Sequence, residues 1–200
     1  MQGRDDHLAF FGGYENPLVN ITAEIETPDF AARAKRDGHP PFAVLTHALC
    51  QATLEVENFR WRLMEGRPVE VRNLVLSHTE IDPQGNLTYT HIPYDADFAT
   101  FRDRYIADRD MVRSRTGLRL TPFEDRDFIF VTALPWLRFT AIEHPIGRHA
   151  DSSIPMFAIG RFERSADGLR FPVSVQAHHG LVDGYHIHLL LARLSALLAG

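Results

Sequence analysis

The sequence predicts an α+β fold: a two-layer sandwich in which helices lie mainly on one side of a large mixed β-sheet. Three observations support it. Short segments with period-two alternation recur along the chain, longer segments with apolar residues at helical spacing are interleaved with them, and no repeat, linker or low-complexity tract interrupts the series. With 200 residues, 44% of them hydrophobic, the chain can bury one substantial core, and a single domain over residues 1–200 is expected.

Residues 18–27 alternate as a strand does, and Pro28-Asp29 opens a short helix to residue 36 that 37–41, rich in Gly and Pro, breaks. A helix then runs from 42 to about 57, with Ala43, Leu45, Ala48, Leu49 and Ala52 on a packed face. Residues 59–64 and 69–71, joined through Glu65-Gly66, read as a hairpin. Extended segments follow at 73–81 and 87–92. The next helix, 98–115, sets Phe101, Tyr105, Met111 and Val112 against a solvated face of arginines. Strands are expected at 128–133, 137–143, 156–163 and 169–177, and leucines at helical spacing mark a terminal helix over 186–198. Gly147 to Ser153 lacks apolar periodicity and is the best candidate for a mobile loop.

Composition narrows the function. A net charge of −5 offers no electrostatic grip on nucleic acid or an anionic membrane, which leaves small metabolites as the natural ligands. Cys50, the only cysteine, excludes an intramolecular disulfide framework and reads as a buried structural thiol. The first residues lack the charged start and apolar run of a signal peptide, and no stretch approaches the ~18 apolar residues of a membrane span, so a cytoplasmic protein is expected. Lys35 is the only lysine among many arginines, which suit bidentate contacts to phosphate.

The segment His178-His179-Gly180-Leu181-Val182-Asp183-Gly184-Tyr185-His186 is the most informative. It sets paired histidines, a carboxylate and a glycine at fixed spacing where a strand gives way to a helix. Imidazole suits removal of a proton from a hydroxyl or thiol near neutral pH. On spacing alone the histidines read equally well as strand-end residues, with Asp183 capping the following helix. His178, His179, Asp183, His186 and His188 also supply metal-ligand types, but neighbouring histidines on a strand point to opposite faces, and His186 and His188 diverge on a helix. No metal site is expected.

This segment closely resembles the active-site signature of the chloramphenicol acetyltransferases, His-His-x-x-x-Asp-Gly-Phe-His. Residues 130–140, with Thr132, Pro135, Trp136 and Phe139, resemble that family's Ser-x-x-Pro-Trp-x-x-Phe strand, and residues 154–162 its next strand. Arg4-Asp5-Asp6-His7-Leu8 is similar to its Arg-Arg-Glu-His-Phe opening, and residues 41–62 to its first long helix. The blocks fall in the family's order over nearly the whole chain. Dihydrolipoyl acyltransferases carry related forms of the histidine motif, and the Pro-Trp block narrows the choice.

The resemblance implies a chloramphenicol acetyltransferase-like sandwich and direct acetyl transfer from acetyl-CoA, a co-substrate, to a hydroxyl of chloramphenicol or a similar small molecule. His179 is then the general base, and Thr132, in place of the family's serine, stabilises the oxyanion. Asp183 and Arg4 form a structural salt bridge. Trp136 and Phe162 are candidates to line the cofactor channel, and Phe10 and Phe11 the acceptor pocket, with core packing as the alternative for each. The resemblance further implies a homotrimer with active sites between subunits and a role in antibiotic resistance. Ala158 stands where the family often has threonine, and Glu15 and Pro17 where apolar or cysteine residues are usual. These departures keep open a related CoA acyltransferase with another acceptor. A noncatalytic homologue serving as a small-molecule binding or oligomerisation module is the other alternative.

Overall fold

The computed structural model describes residues 3–119, 127–146 and 152–200. Most of the candidate mobile loop, residues 147–151, lies outside the described residues. Ser153, at its end, is buried, and its Oγ accepts the Leu63 amide at 2.7 Å.

Two long strands, β1 (Leu18–Thr27) and β10 (Leu169–His178), pair antiparallel along their whole length. Beside β10 runs β8 (Met156–Ile159), antiparallel to it, and then β7 (Phe128–Ala133) and β4 (Val75–Ile81), each parallel to its neighbour. The short strands β5 (Leu87–Tyr89) and β6 (Ile92–Pro93) pair with β4, and β9 (Glu163–Arg164) pairs with β10. The result is an eight-stranded mixed sheet. A separate hairpin, β2 (Trp61–Met64) and β3 (Arg67–Glu70), turns at Glu65 and Gly66, both at positive φ, as a two-residue connection requires.

One sheet face is apolar. Leu76, Ile129, Val131, Phe157, Ile159, Val173, Val175 and Ala177 are all buried. The cluster they form extends into α3 (Pro41–Glu55) and α5 (Gly184–Ala199), which pack on each other, with α2 (Phe30–Arg36) and α4 (Phe98–Arg113) against α3. Ile187, Leu190, Leu191, Leu194 and Leu198 of α5 are buried, and each such side chain contributes about 1.5–3 kcal/mol of apolar burial. Asp29 and Asp97 cap α2 and α4 by accepting the amides of Ala32 and Thr100. The expected sandwich is the fold observed.

Three local expectations are corrected. Residues 137–143 are not a strand: after a turn that bonds the Leu137 amide to Leu134, the polar groups of Ile142 and His144 are taken by the side chains of Asn20 and Gln176 rather than by a ladder. The strand expected over 156–163 breaks at Gly160, where a Cβ would come within 2.4 Å of the Pro172 ring. A helix not anticipated, α1 (Asp5–Phe11), opens the described chain; none of its residues is fully buried, and its half-buried pair, Leu8 and Phe11, is too short a stripe to read.

Candidate active site

The turn after β10 is fixed group by group. The His178 carbonyl accepts the amides of Leu181 and Val182, each at 2.9 Å. Arg4 then donates from one guanidinium to the His179 carbonyl at 2.9 Å, to the Gly180 carbonyl at 3.1 Å and to Asp183 Oδ2 at 2.8 Å. Asn58 donates to the Leu181 carbonyl at 2.8 Å, and the His179 ring lies 3.2 Å from the Val182 carbonyl. Every carbonyl from 178 to 182 therefore has a partner, as a buried turn requires. Gly180 fits because a Cβ there would meet Leu8 and the His178 ring at about 3 Å.

The two histidines take opposite roles. His178 is 2% exposed, and its Nδ1 accepts the Gly180 amide at 3.1 Å, so any proton of the neutral ring sits on Nε2. Burial, and secondarily the adjacent His179, push its pKa down to about 4, so it stays uncharged at neutral pH. His179 is half-buried, and its backbone amide donates to the Pro17 carbonyl at 2.7 Å. Because a carbonyl only accepts, the contact with Val182 makes His179 Nδ1 the N–H nitrogen. Nε2 is then the lone-pair nitrogen, with no hydrogen-bond partner among the described residues. Phe11 stacks on the ring, with centroids 4.0 Å apart and planes at 16°, and holds its orientation.

Asp183 does two jobs. It caps α5 by accepting the amides of Tyr185 and His186, with His186 Nδ1 2.8 Å from Oδ1, and it pairs with Arg4, whose side chain is only 9% exposed. Burial alone pushes the Asp183 carboxyl up; the Arg4 hydrogen bond and the contacts from His186 outweigh it and hold the pKa below the usual carboxylate range.

Thr132 lies elsewhere. On the sheet it shares a row with Ala158 and Ser174, whereas His179 is five residues beyond Ser174, about 16 Å along the strand direction at ~3.3 Å per residue. Its hydroxyl is 3.2 Å from His144 Nε2. Trp136 is 63% exposed in the turn after Pro135. Phe162 packs its ring against Phe171 and Phe30 at the edge of the core. Phe10 is 61% exposed and touches Phe11 and Tyr14. Ala158 is fully buried, and Pro17 enters the site only through its carbonyl.

Arg4, His179 and Asp183 thus form one cluster, with Phe11 against it, while Thr132 belongs to another. Asn58 and His144 were not singled out by sequence reasoning, and nothing in the chain marks them; Pro17 stood out only as a departure from the family pattern, and it acts through a backbone group. Among the described residues no group of three or more His, Cys, Asp or Glu side chains is placed to hold a metal ion.

The family model described as chloramphenicol acetyltransferase matches residues 2–195. The chain is 30% identical over 185 residues to the chloramphenicol acetyltransferase of Streptomyces acrimycini, covering 90% of this chain and 82% of that one. A solved chloramphenicol acetyltransferase structure superposes with a TM-score of 0.88 at 26% identity, covering 99% of this chain and 96% of that one. The dihydrolipoamide acetyltransferase of Azotobacter vinelandii shares the fold less closely, with a TM-score of 0.64 at 16% identity over 100% of this chain and 88% of that one. The sandwich, the signature around His179 and the match along nearly all of the chain converge: the chain belongs to the chloramphenicol acetyltransferase family and is an acetyltransferase.

Proposed function

We propose that the protein transfers an acetyl group from acetyl-CoA to a hydroxyl of chloramphenicol or a similar small molecule, in a ternary complex without an acyl-enzyme. The observation that carries this reading is the 3.2 Å contact of His179 Nδ1 with the Val182 carbonyl. With Nδ1–H committed to Val182, Nε2 is the basic nitrogen, and the Phe11 stack keeps it in place. Nε2 takes the acceptor proton as the acceptor oxygen attacks the thioester carbonyl, and the same proton passes to the leaving thiolate of CoA. Holding both reactants together accounts for roughly 7–11 kcal/mol of the bimolecular barrier.

Thr132 supplies the oxyanion donor, and it does so from a neighbouring copy. Within one chain the strand register keeps Thr132 and His179 apart, and the aromatic side chains Phe10, Tyr14 and Tyr185 near the imidazole cluster are 61%, 53% and 67% exposed. A homotrimer that covers this aromatic surface brings the base of one subunit to the hydroxyl of the next. Phe10 and Phe11 then border the acceptor, and Trp136 and Phe162 the CoA channel. The enzyme works in the cytoplasm, and antibiotic resistance is the corresponding role. No helix among the described residues is long and apolar enough to cross a membrane.

Release of CoA thiol, followed with acetyl-CoA and a panel of hydroxyl compounds that includes chloramphenicol, tests the reading. Chloramphenicol-dependent release that falls by orders of magnitude in a folded His179→Ala variant is the expected result. Release with another acceptor alone would retain the chemistry and replace the substrate. Equal rates in variant and parent would remove His179 from its role.

A further inference from the structure

Thr132 is one end of a connected polar network on the sheet face opposite the helices. Its Oγ1 lies 3.2 Å from His144 Nε2. The His144 backbone amide donates to Gln176 Oε1 at 3.1 Å, and Asn20 Nδ2 reaches the same oxygen at 3.4 Å as well as the Ile142 carbonyl. Ser174 Oγ donates to Asn20 Oδ1 at 2.8 Å. Two adjacent strands, β1 and β10, thereby pin the loop that carries His144, and with it the imidazole, against Thr132.

The ring has two neutral forms, and they differ in what they leave to Thr132. If Nδ1 carried the hydrogen, Nε2 would accept from the Thr132 hydroxyl, whose only proton would then be used up. That form would also leave a buried N–H without an acceptor, since His144 Nδ1 is buried with no partner among the described residues. Orphaned buried N–H groups are the rarer defect, so the Nε2–H form is favoured. In it His144 donates to a lone pair of Thr132, and the hydroxyl proton stays available to an incoming oxyanion. Donation into an oxygen also polarises its own O–H, as in any hydrogen-bond chain. Burial lowers the His144 pKa by more than the neighbouring acceptor oxygen of Gln176, which would favour the protonated ring, raises it, and this keeps the ring neutral at pH 7.

We propose that His144 is a positioning residue: its Nε2–H orients the Thr132 hydroxyl so that the threonine proton is directed at the thioester oxyanion. This rests on the oxyanion role given to Thr132 above. The experiment is a double-mutant cycle read as kcat and KM at saturating acceptor, using His144→Leu, His144→Asn and Thr132→Ala, each checked for a parent-like circular dichroism spectrum. Thr132→Ala is expected to lower kcat about 10²–10³-fold, the value of a whole oxyanion donor. His144→Leu should remove part of that, about 10-fold or more, with the KM for acetyl-CoA within about twofold of the parent, and add nothing in the Thr132→Ala background. His144→Asn, whose amide can donate, should recover part of the loss. If Thr132→Ala is impaired while His144→Leu turns over like the parent, or if the two losses multiply, the positioning role falls and the threonine role stands. If Thr132→Ala itself keeps parental kcat, both fall. Nitrogen NMR of the folded parent with labelled histidine reads the ring without any variant: a hydrogen on Nε2 supports the proposal, and one on Nδ1 overturns it.

Discussion

Arg4→Met removes the guanidinium that ties residues 179, 180 and 183 to the start of the chain, while keeping most of its apolar stem. Three charge-assisted hydrogen bonds go, at 2.8, 2.9 and 3.1 Å. Breaking a buried ion pair costs about 3–5 kcal/mol, but Asp183 is 32% exposed and keeps its capping bonds from Tyr185 and His186, so its share lies well below that range. The carbonyls of His179 and Gly180 lose their donors as well, at about 1–3 kcal/mol for each one that stays out of water. A total of about 3–5 kcal/mol follows, equivalent to roughly 10 °C in Tm for a chain of this size.

The assay is thermal unfolding of parent and variant at equal protein concentration, since any oligomer makes Tm concentration-dependent. The pH dependence provides an internal check. Asp183 has a folded pKa below its unfolded value near 3.9, so the stability it draws from Arg4 is complete above that value and is lost as pH falls through the lowered folded pKa. The gap between parent and Arg4→Met should therefore hold from pH 7 to about pH 5 and narrow below pH 4. Turnover should fall in parallel, because the turn that aims His179 is what loosens. A variant that melts within about 2 °C of the parent and turns over at the same rate would refute the reasoning.

Two other perturbations follow from the packing. Burial lowers the pKa of both His78 and His178 to about 4, against roughly 6.5 unfolded, so the unfolded chain binds protons first as pH drops. The stability they supply is full above about pH 6.5 and is lost towards pH 4, on the order of 3 kcal/mol each; urea unfolding across that window should give a shallower slope for His78→Phe than for the parent. Gly160→Ala sets a methyl 2.4 Å from Pro172 Cγ and 2.9 Å from the Leu137 carbonyl, and should cost about 2–3 kcal/mol, read as a lowered Tm.

What was legible in the chain is what periodicity encodes. α3 and α5 bury their apolar residues at helical spacing, and β1 and β10 alternate in residue type, so periodicity gave the positions of all four closely. Residues 137–143 alternate as well, yet they form a connection laid over the sheet, because Asn20 and Gln176 supply side-chain partners that no local pattern announces. The helix α1 escaped because it is only seven residues long, with Leu8 and Phe11 half-buried and no residue fully buried, too short for a periodic stripe to show.

The site divides along the same line. His179 and Asp183 stood out by residue type and spacing, and Arg4 could be set beside Asp183 only through the family resemblance, while Pro17 acts through its carbonyl, Asn58 donates to a carbonyl 123 positions away, and His144 meets Thr132 across a loop. The spacing of the motif nevertheless has a physical cause that the structure supplies. His179 Nδ1 closes on the carbonyl three residues on, and the very next residue caps α5 while pairing with Arg4. Adding or removing one residue between 179 and 183 would break the ring's tautomer lock, the helix cap and the ion pair together. The distance from His179 to Asp183 along the chain is therefore set by one tight turn serving three bonds, and Asp183 holds that turn without a hydrogen bond to the His179 imidazole.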